Sequence, residues 1–152
     1  MAFRPDSTLL LARLRASTRL AMLVLLGVCG LCIDIGQAVY GLQQCQNVAD
    51  AGALAGSQEL PYPTPATTMA RSIATANVPT SQTSLFSVNA TYYAKDATVP
   101  NYGTAPYGGA VLVTAAKNVR YVFLRALGFR GVTVHRSSVA TKIITGTCIS
   151  PM

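Results

Sequence analysis

Few residues in this chain could do chemistry. It has four cysteines, one histidine and five carboxylates in 152 residues. Cys29 and Cys32 have the C-x-x-C spacing used for thiol exchange or metal binding. Both lie inside an apolar run, and no histidine follows Cys32, which excludes covalent haem attachment. Residues three apart on a lipid-facing helix read as small packing side chains. His135 has no second histidine with which to share a metal, and beside Arg136 on a strand it reads as an exposed polar residue. Past the apolar run the acids are Asp50, Glu59 and Asp96, with Asp34 at the run's edge. Asp50 and Glu59 are too far apart along a helix to act as an acid–base pair. No glycine-rich loop joins a strand to a helix, so a phosphate cradle is unsupported. Asn89-Ala90-Thr91 matches a glycosylation sequon and is read as coincidence. The expectation is a protein that is not an enzyme, with no catalytic residue, cofactor, metal or small-molecule substrate.

The elements that position these residues begin with Leu20–Ile33, which contains no charged or strongly polar side chain. A helix needs about 20 residues to cross about 30 Å of hydrocarbon, so the span closes only if Arg19 snorkels and Asp34 lies near the opposite interface. The reading is a tail over 1–19, a transmembrane anchor over 20–36, an exported helix extension over 37–60 and a small domain over 61–152. A cleaved signal peptide is the competing reading. It is disfavoured because no clean small-x-small site follows the run and the helical pattern continues past Asp34. Arg4, Arg13, Arg15 and Arg19 precede the run against the single acid Asp6, which puts the N-terminus in the cytoplasm and the remainder outside. Cys45 and Cys148 both fall on that oxidising side and could pair, although spacing alone does not bring them within bonding distance.

The helix is expected to continue to about Glu59 on alanine-rich sequence. Val39, Leu42, Cys45, Ala49 and Ala53 form an apolar stripe, and Gly52 with Gly56 a G-x-x-x-G on another face. Those small residues suit either a partner helix or the protein's own domain. Pro61, Pro63 and Pro65 predict an extended elbow, and Thr67 or Thr68 the cap of a short helix through about Ala76. Leu85–Tyr93 alternates as a strand, residues 99–109 read as a long hairpin loop, and Val111, Val113 and Ala115 mark a second strand. Val119–Leu127 fits helical spacing with Gly128 as its cap. Val132–Ile144 returns to strand, with a change of apolar parity that predicts a bulge near residues 135–138. The fold class is α+β: a long N-terminal transmembrane helix running into an exported domain of about three antiparallel strands and short helices.

Two stretches resemble the TadE/TadG-like family of bacterial Flp (tight-adherence) pilus-assembly proteins. Ile33-Asp34-Ile35-Gly36 followed by Gln46-Asn47-Val48-Ala49-Asp50-Ala51-Gly52-Ala53-Leu54-Ala55-Gly56 is similar to the family's membrane-exit D-x-G and its Q-N-x-A-D-A-x-A-L-A-G helix. Phe123-Leu124-Arg125-Ala126-Leu127-Gly128-Phe129 with the Val132–Ala140 strand resembles its F-x-x-x-L-G helix and terminal strand. Cys45 departs from the larger aliphatic residue usual there, and the von Willebrand A-type domain of long members is not in this sequence. The resemblance implies a single-pass inner-membrane protein whose exported C-terminal domain is pilin-like and periplasmic or extracellular, acting in pilus biogenesis as a pseudopilin-type subunit.

Its partners would be other pilus-assembly or pilin-like membrane subunits, met through a helix surface of Asp34, Asn47, Ala49, Asp50, Gly52, Ala53 and Gly56, together with inner-membrane lipid. The alternative function is a membrane-anchored binding module. The formal charge is +7, and after Asp96 the chain carries Lys117, Arg120, Arg125, Arg130, Arg136 and Lys142 with no acid. Such a basic domain could hold an anionic polymer or lipid headgroups, although solvated surface charge is the simpler account. Nucleic acid is not expected, because no aromatic stacking motif is interleaved with the charges.

Overall fold

Apolar and alanine-rich sequence without a proline carries one helix, α1, through Ser7–Gln58, 52 residues. At 1.5 Å per residue it is about 78 Å long, more than twice a hydrocarbon thickness. The computed structural model describes residues 7–106 and 108–142. Within it α1 is the one helix long and apolar enough to cross a membrane. Leu20, Leu23, Leu26, Leu31 and Ile33 are all exposed along the N-terminal half. The C-terminal half is instead partly covered by the rest of the chain.

The proline elbow is tighter than expected. α2 spans Pro63–Ala76, so Pro63 and Pro65 lie inside its first turn rather than before it. Amides of a first turn have no intrahelical acceptor, so proline costs the helix nothing there and its fixed φ suits the start. Asn77 ends the helix, and a 3₁₀ turn, Thr80–Leu85, leads into the sheet.

Three antiparallel strands form that sheet: β1 (Phe86–Tyr93), β4 (Ala110–Arg120) and β5 (Gly131–Thr141), in the order β1-β4-β5. Between β1 and β4 the expected long loop contains its own small hairpin, β2 (Thr98–Val99) with β3 (Gly103–Thr104). The α+β reading with three principal strands is what the structure has.

Two local expectations are corrected. β4 continues through Val119 and Arg120, paired with Val132 and Gly131, where the spacing suggested a helix. Only Leu124–Leu127 is helical, as a 3₁₀ turn closed by Gly128 at φ +95°. Val119 at helical spacing from Val122 and Phe123 was a coincidence of a strand end meeting a turn. The bulge is also absent: β4 and β5 pair without a skipped residue from Ala110↔Thr141 to Arg120↔Gly131. The parity change has another cause. Val132 and Val134 face α1, whereas Val139 faces the opposite side of the sheet, where it packs on Val99, Ala105 and Ala110 of a second small core under the hairpin.

The main core lies between the sheet's inner face and the two helices. Val88, Ala90, Val111, Val113, Ala115 and Val119 come from the sheet. Cys45, Val48, Ala49 and Ala53 come from α1, and Ala66, Ala70 and Ala74, one turn apart, from α2.

Candidate functional site: the two faces of the long helix

Small residues at steps of three and four let α1 lie close to its neighbours. Gly30, Asp34, Gly41, Cys45, Val48, Ala49, Gly52, Ala53 and Gly56 are all buried along one stripe. A Cβ on Gly52 would lie 2.7 Å from the Ala74 Cβ and 2.8 Å from the Ala70 carbonyl oxygen; on Gly56, 2.8 Å from the Ala70 Cβ and 2.9 Å from the Ala66 carbonyl oxygen. The approach that G-x-x-x-G allows is thus used between α1 and the alanine stripe of α2.

The seven residues of the expected partner surface therefore divide. Ala49, Gly52, Ala53 and Gly56 face the chain's own core, and Asp34 is covered completely. Asn47 is exposed and Asp50 half-buried, its carboxylate accepting from the Gln46 amide at 2.8 Å. With Val39, Gln43 and Leu54 they make a second stripe that nothing among the described residues covers. Val39 and Leu54 are 49% and 64% exposed, large apolar side chains outside any core. This outward stripe is what the C-terminal half of α1 offers another molecule.

Asp34 does work that the sequence did not reveal. Its Oδ1 accepts the Val122 amide at 2.8 Å, and its Oδ2 the amides of Phe123 at 3.0 Å and Leu124 at 2.6 Å. Those N–H groups open the Leu124–Leu127 turn and have no acceptor within it, so the carboxylate caps the turn from 88 residues away. Charge-assisted bonds of this kind tie the tip of the sheet to α1.

Two turns further along, Lys117 points inward from β4 and is buried without an acid. Its Nζ donates to Gln44 Oε1 and, at 2.6 Å, to Gln82 Oε1. The Phe86 and Tyr40 ring centroids lie 5.2 and 5.9 Å from it, within cation–π range. Burial pulls the Lys117 pKa below its ordinary 10.5, and the Cys45 thiol nearby opposes that shift. Burial likewise pushes the Cys45 thiol upward, against the opposing charges of Lys117 and Arg136. Cys45 donates weakly to the Val134 carbonyl at 3.8 Å, and its pairing with Cys148 lies outside the described residues. Cys29 and Cys32 are exposed on the apolar half of α1. His135 is exposed on β5, and no group of three potential metal ligands occurs among the described residues.

Residues 20–70 match the family model of TadE/G-like Flp pilus-assembly proteins. The chain carries a TadE/G-like segment. The matched region holds the apolar span, Asp34, the Gln46–Gly56 string and α2 as far as Ala70. It stops short of Phe123–Ala140, the other stretch of resemblance. Neither the curated proteins nor the solved structures give a match. The TadE/G-like segment supports a role in Flp pilus assembly and, with the apolar helix, attachment to a membrane.

Proposed function

We propose that this protein is a structural subunit of pseudopilin type in Flp pilus biogenesis. It is held in the inner membrane by residues 20–36 with its N-terminus in the cytoplasm, and it docks other membrane subunits of the pilus machinery through the outward stripe of α1. The observation that carries this is the coincidence of the family match with α1 beyond Asp34, where Val39, Gln43, Asn47, Asp50 and Leu54 remain uncovered after the domain has packed. Docking through Gly52 and Gly56 would require α2 to leave, whereas docking through this stripe leaves the fold unchanged. Arg13, Arg15 and Arg19 at the start of the span support the orientation.

The test is the full-length double variant Asn47→Arg, Leu54→Asp in cells that assemble the pilus. Both side chains are exposed, so the protein should accumulate at wild-type level while co-purification of other pilus subunits and the number of pili fall several-fold. Normal piliation with unchanged co-purification would overturn the reading. A periplasmic reporter fused after Lys142 should be active; activity only in the cytoplasm would reverse the orientation.

A further inference from the structure

The tip of the sheet between β4 and β5 carries large apolar side chains that nothing among the described residues covers. Val122 and Phe123 are 59% and 46% exposed, and Leu127 and Phe129 75% and 61%. Such a cluster on a domain of this size marks an interaction surface. Its position along α1 says with what. A Cβ on Gly30 would fall 2.5 Å from Cγ of Phe123, so the Phe123 ring lies directly against Gly30. Gly30 is inside the run Leu20–Ile33 and about 6 Å nearer its N-terminal end than Asp34, the residue that fixes the turn. Within the span 20–36, Gly30 lies about 9 Å and Asp34 about 3 Å inside the end from which α1 emerges, so both lie at hydrocarbon depth. A turn that touches one and is bonded to the other lies there too.

Basic residues surround the same tip. Arg120, Arg125 and Arg130 line one hollow of about 360 Å³ together with Gly131 and Thr133. No carboxylate among the described residues is within ion-pair distance of these arginines. Apolar residues flanked by unpaired arginines are what an interfacial segment needs: side chains for the acyl region and guanidinium groups for phosphate oxygens.

We propose that residues 120–130 are a second membrane-binding element, a wedge that enters the leaflet from which α1 emerges. Val122, Phe123, Leu127 and Phe129 sit among acyl chains, and Arg120, Arg125 and Arg130 hold phospholipid phosphates. The wedge also accounts for an aspartate inside an apolar span: the backbone amides that satisfy Asp34 are carried into the bilayer with it. The sheet is thereby fixed against the membrane surface rather than swinging on α1, and the outward stripe of α1 is held at a set height. The inference rests on the membrane reading of residues 20–36 and holds for either orientation.

The chain contains no tryptophan, so one introduced indole reports alone. Full-length Leu127→Trp and Phe129→Trp are placed in nanodiscs of phosphatidylethanolamine and phosphatidylglycerol, with and without acyl-brominated lipid. Leu25→Trp in the span and Gln58→Trp at the far end of α1 are references. Leu127→Trp and Phe129→Trp should show blue-shifted emission and be quenched by brominated lipid to within about twofold of Leu25→Trp, with Gln58→Trp unquenched. Emission and quenching like those of Gln58→Trp, with Leu25→Trp still quenched, would overturn the wedge and leave the anchor standing. An unquenched Leu25→Trp would remove the anchor and the wedge together. Adding Arg125→Glu and Arg130→Glu should lower Leu127→Trp quenching several-fold; unchanged quenching would remove the arginines from the proposal.

Discussion

Two buried charges show how much a single residue can settle in this protein. Asp34 stands at the end of a span already short for a bilayer, which suggested from sequence either headgroup exposure or a paired role. It is paired, but with three backbone amides, and backbone donors carry no sequence signature. Asp34→Ala should leave those amides without acceptors and loosen the turn, speeding tryptic cleavage at Arg125 and Arg130 at least several-fold. Asp34→Asn keeps one acceptor oxygen and should fall between, as limited proteolysis of the detergent-solubilised protein can check. Lys117 gives a pH signature. Its folded pKa lies below 10.5, so between the two values the unfolded state holds more protons and this group's contribution to stability rises with pH. Cys45, with its thiol pushed up from 9.0, contributes the opposite slope in the overlapping range. In Lys117→Met the Cys45 thiol also loses an opposing charge and moves further up, which acts in the same direction, so denaturant midpoints should show the wild type gaining relative to the variant as pH rises toward 10.5. A constant difference would mean that burial does not penalise the ammonium.

Among elements, α1 against α2 is the contact most sensitive to size. Replacing Gly52 by Leu places a side chain where even a Cβ meets backbone at 2.8 Å, and over-packing of this kind costs about 1–3 kcal/mol or more. Gly52→Leu with Gly56→Leu should therefore lower the unfolding midpoint of the domain itself. Loss of piliation in that variant would report on folding, which is why the exposed pair Asn47 and Leu54 is the better probe of docking. A double-leucine variant as stable as the wild type would show that α2 moves aside easily. Gly30→Ala meets Cγ and Cβ of Phe123 at 2.5 and 2.9 Å, atoms that ring rotation does not move, so the turn itself would have to shift. The periodicities in this part of the chain were legible: strand alternation placed β1 and β4, and prolines marked the bend. Residues 119–127 misled because a strand end and a 3₁₀ turn together mimic one helical period. Residues 132–140 misled because apolar residues on both faces of β5 are covered, one face by α1 and the other by the β2–β3 hairpin.

At the scale of the whole molecule, the boundary drawn at residue 61 cuts through the main core. Cys45, Val48, Ala49 and Ala53 of α1 contribute to the same cluster as Ala66, Ala70, Ala74 and the sheet. A fragment of residues 61–152 should fail to fold, with little near-ultraviolet dichroism and rapid proteolysis, whereas one beginning near Ser17 should keep the fold in detergent. A stable, protease-resistant 61–152 fragment would contradict this.

The sequence by itself determined the long apolar helix, its basic flank, the α+β class and the resemblance to pilus-assembly proteins. These depend on composition and on periods of two or four residues, which local physics reads directly. Only the tertiary structure decided which side of α1 is occupied, that Asp34 caps a turn far along the chain, and that Phe123 of the β4–β5 tip lies against Gly30 in the apolar run. The cap depends on pairs of residues 88 to 90 positions apart, beyond the reach of any local pattern, and a small-residue stripe is equally suited to a partner helix or to α2 until the fold chooses between them.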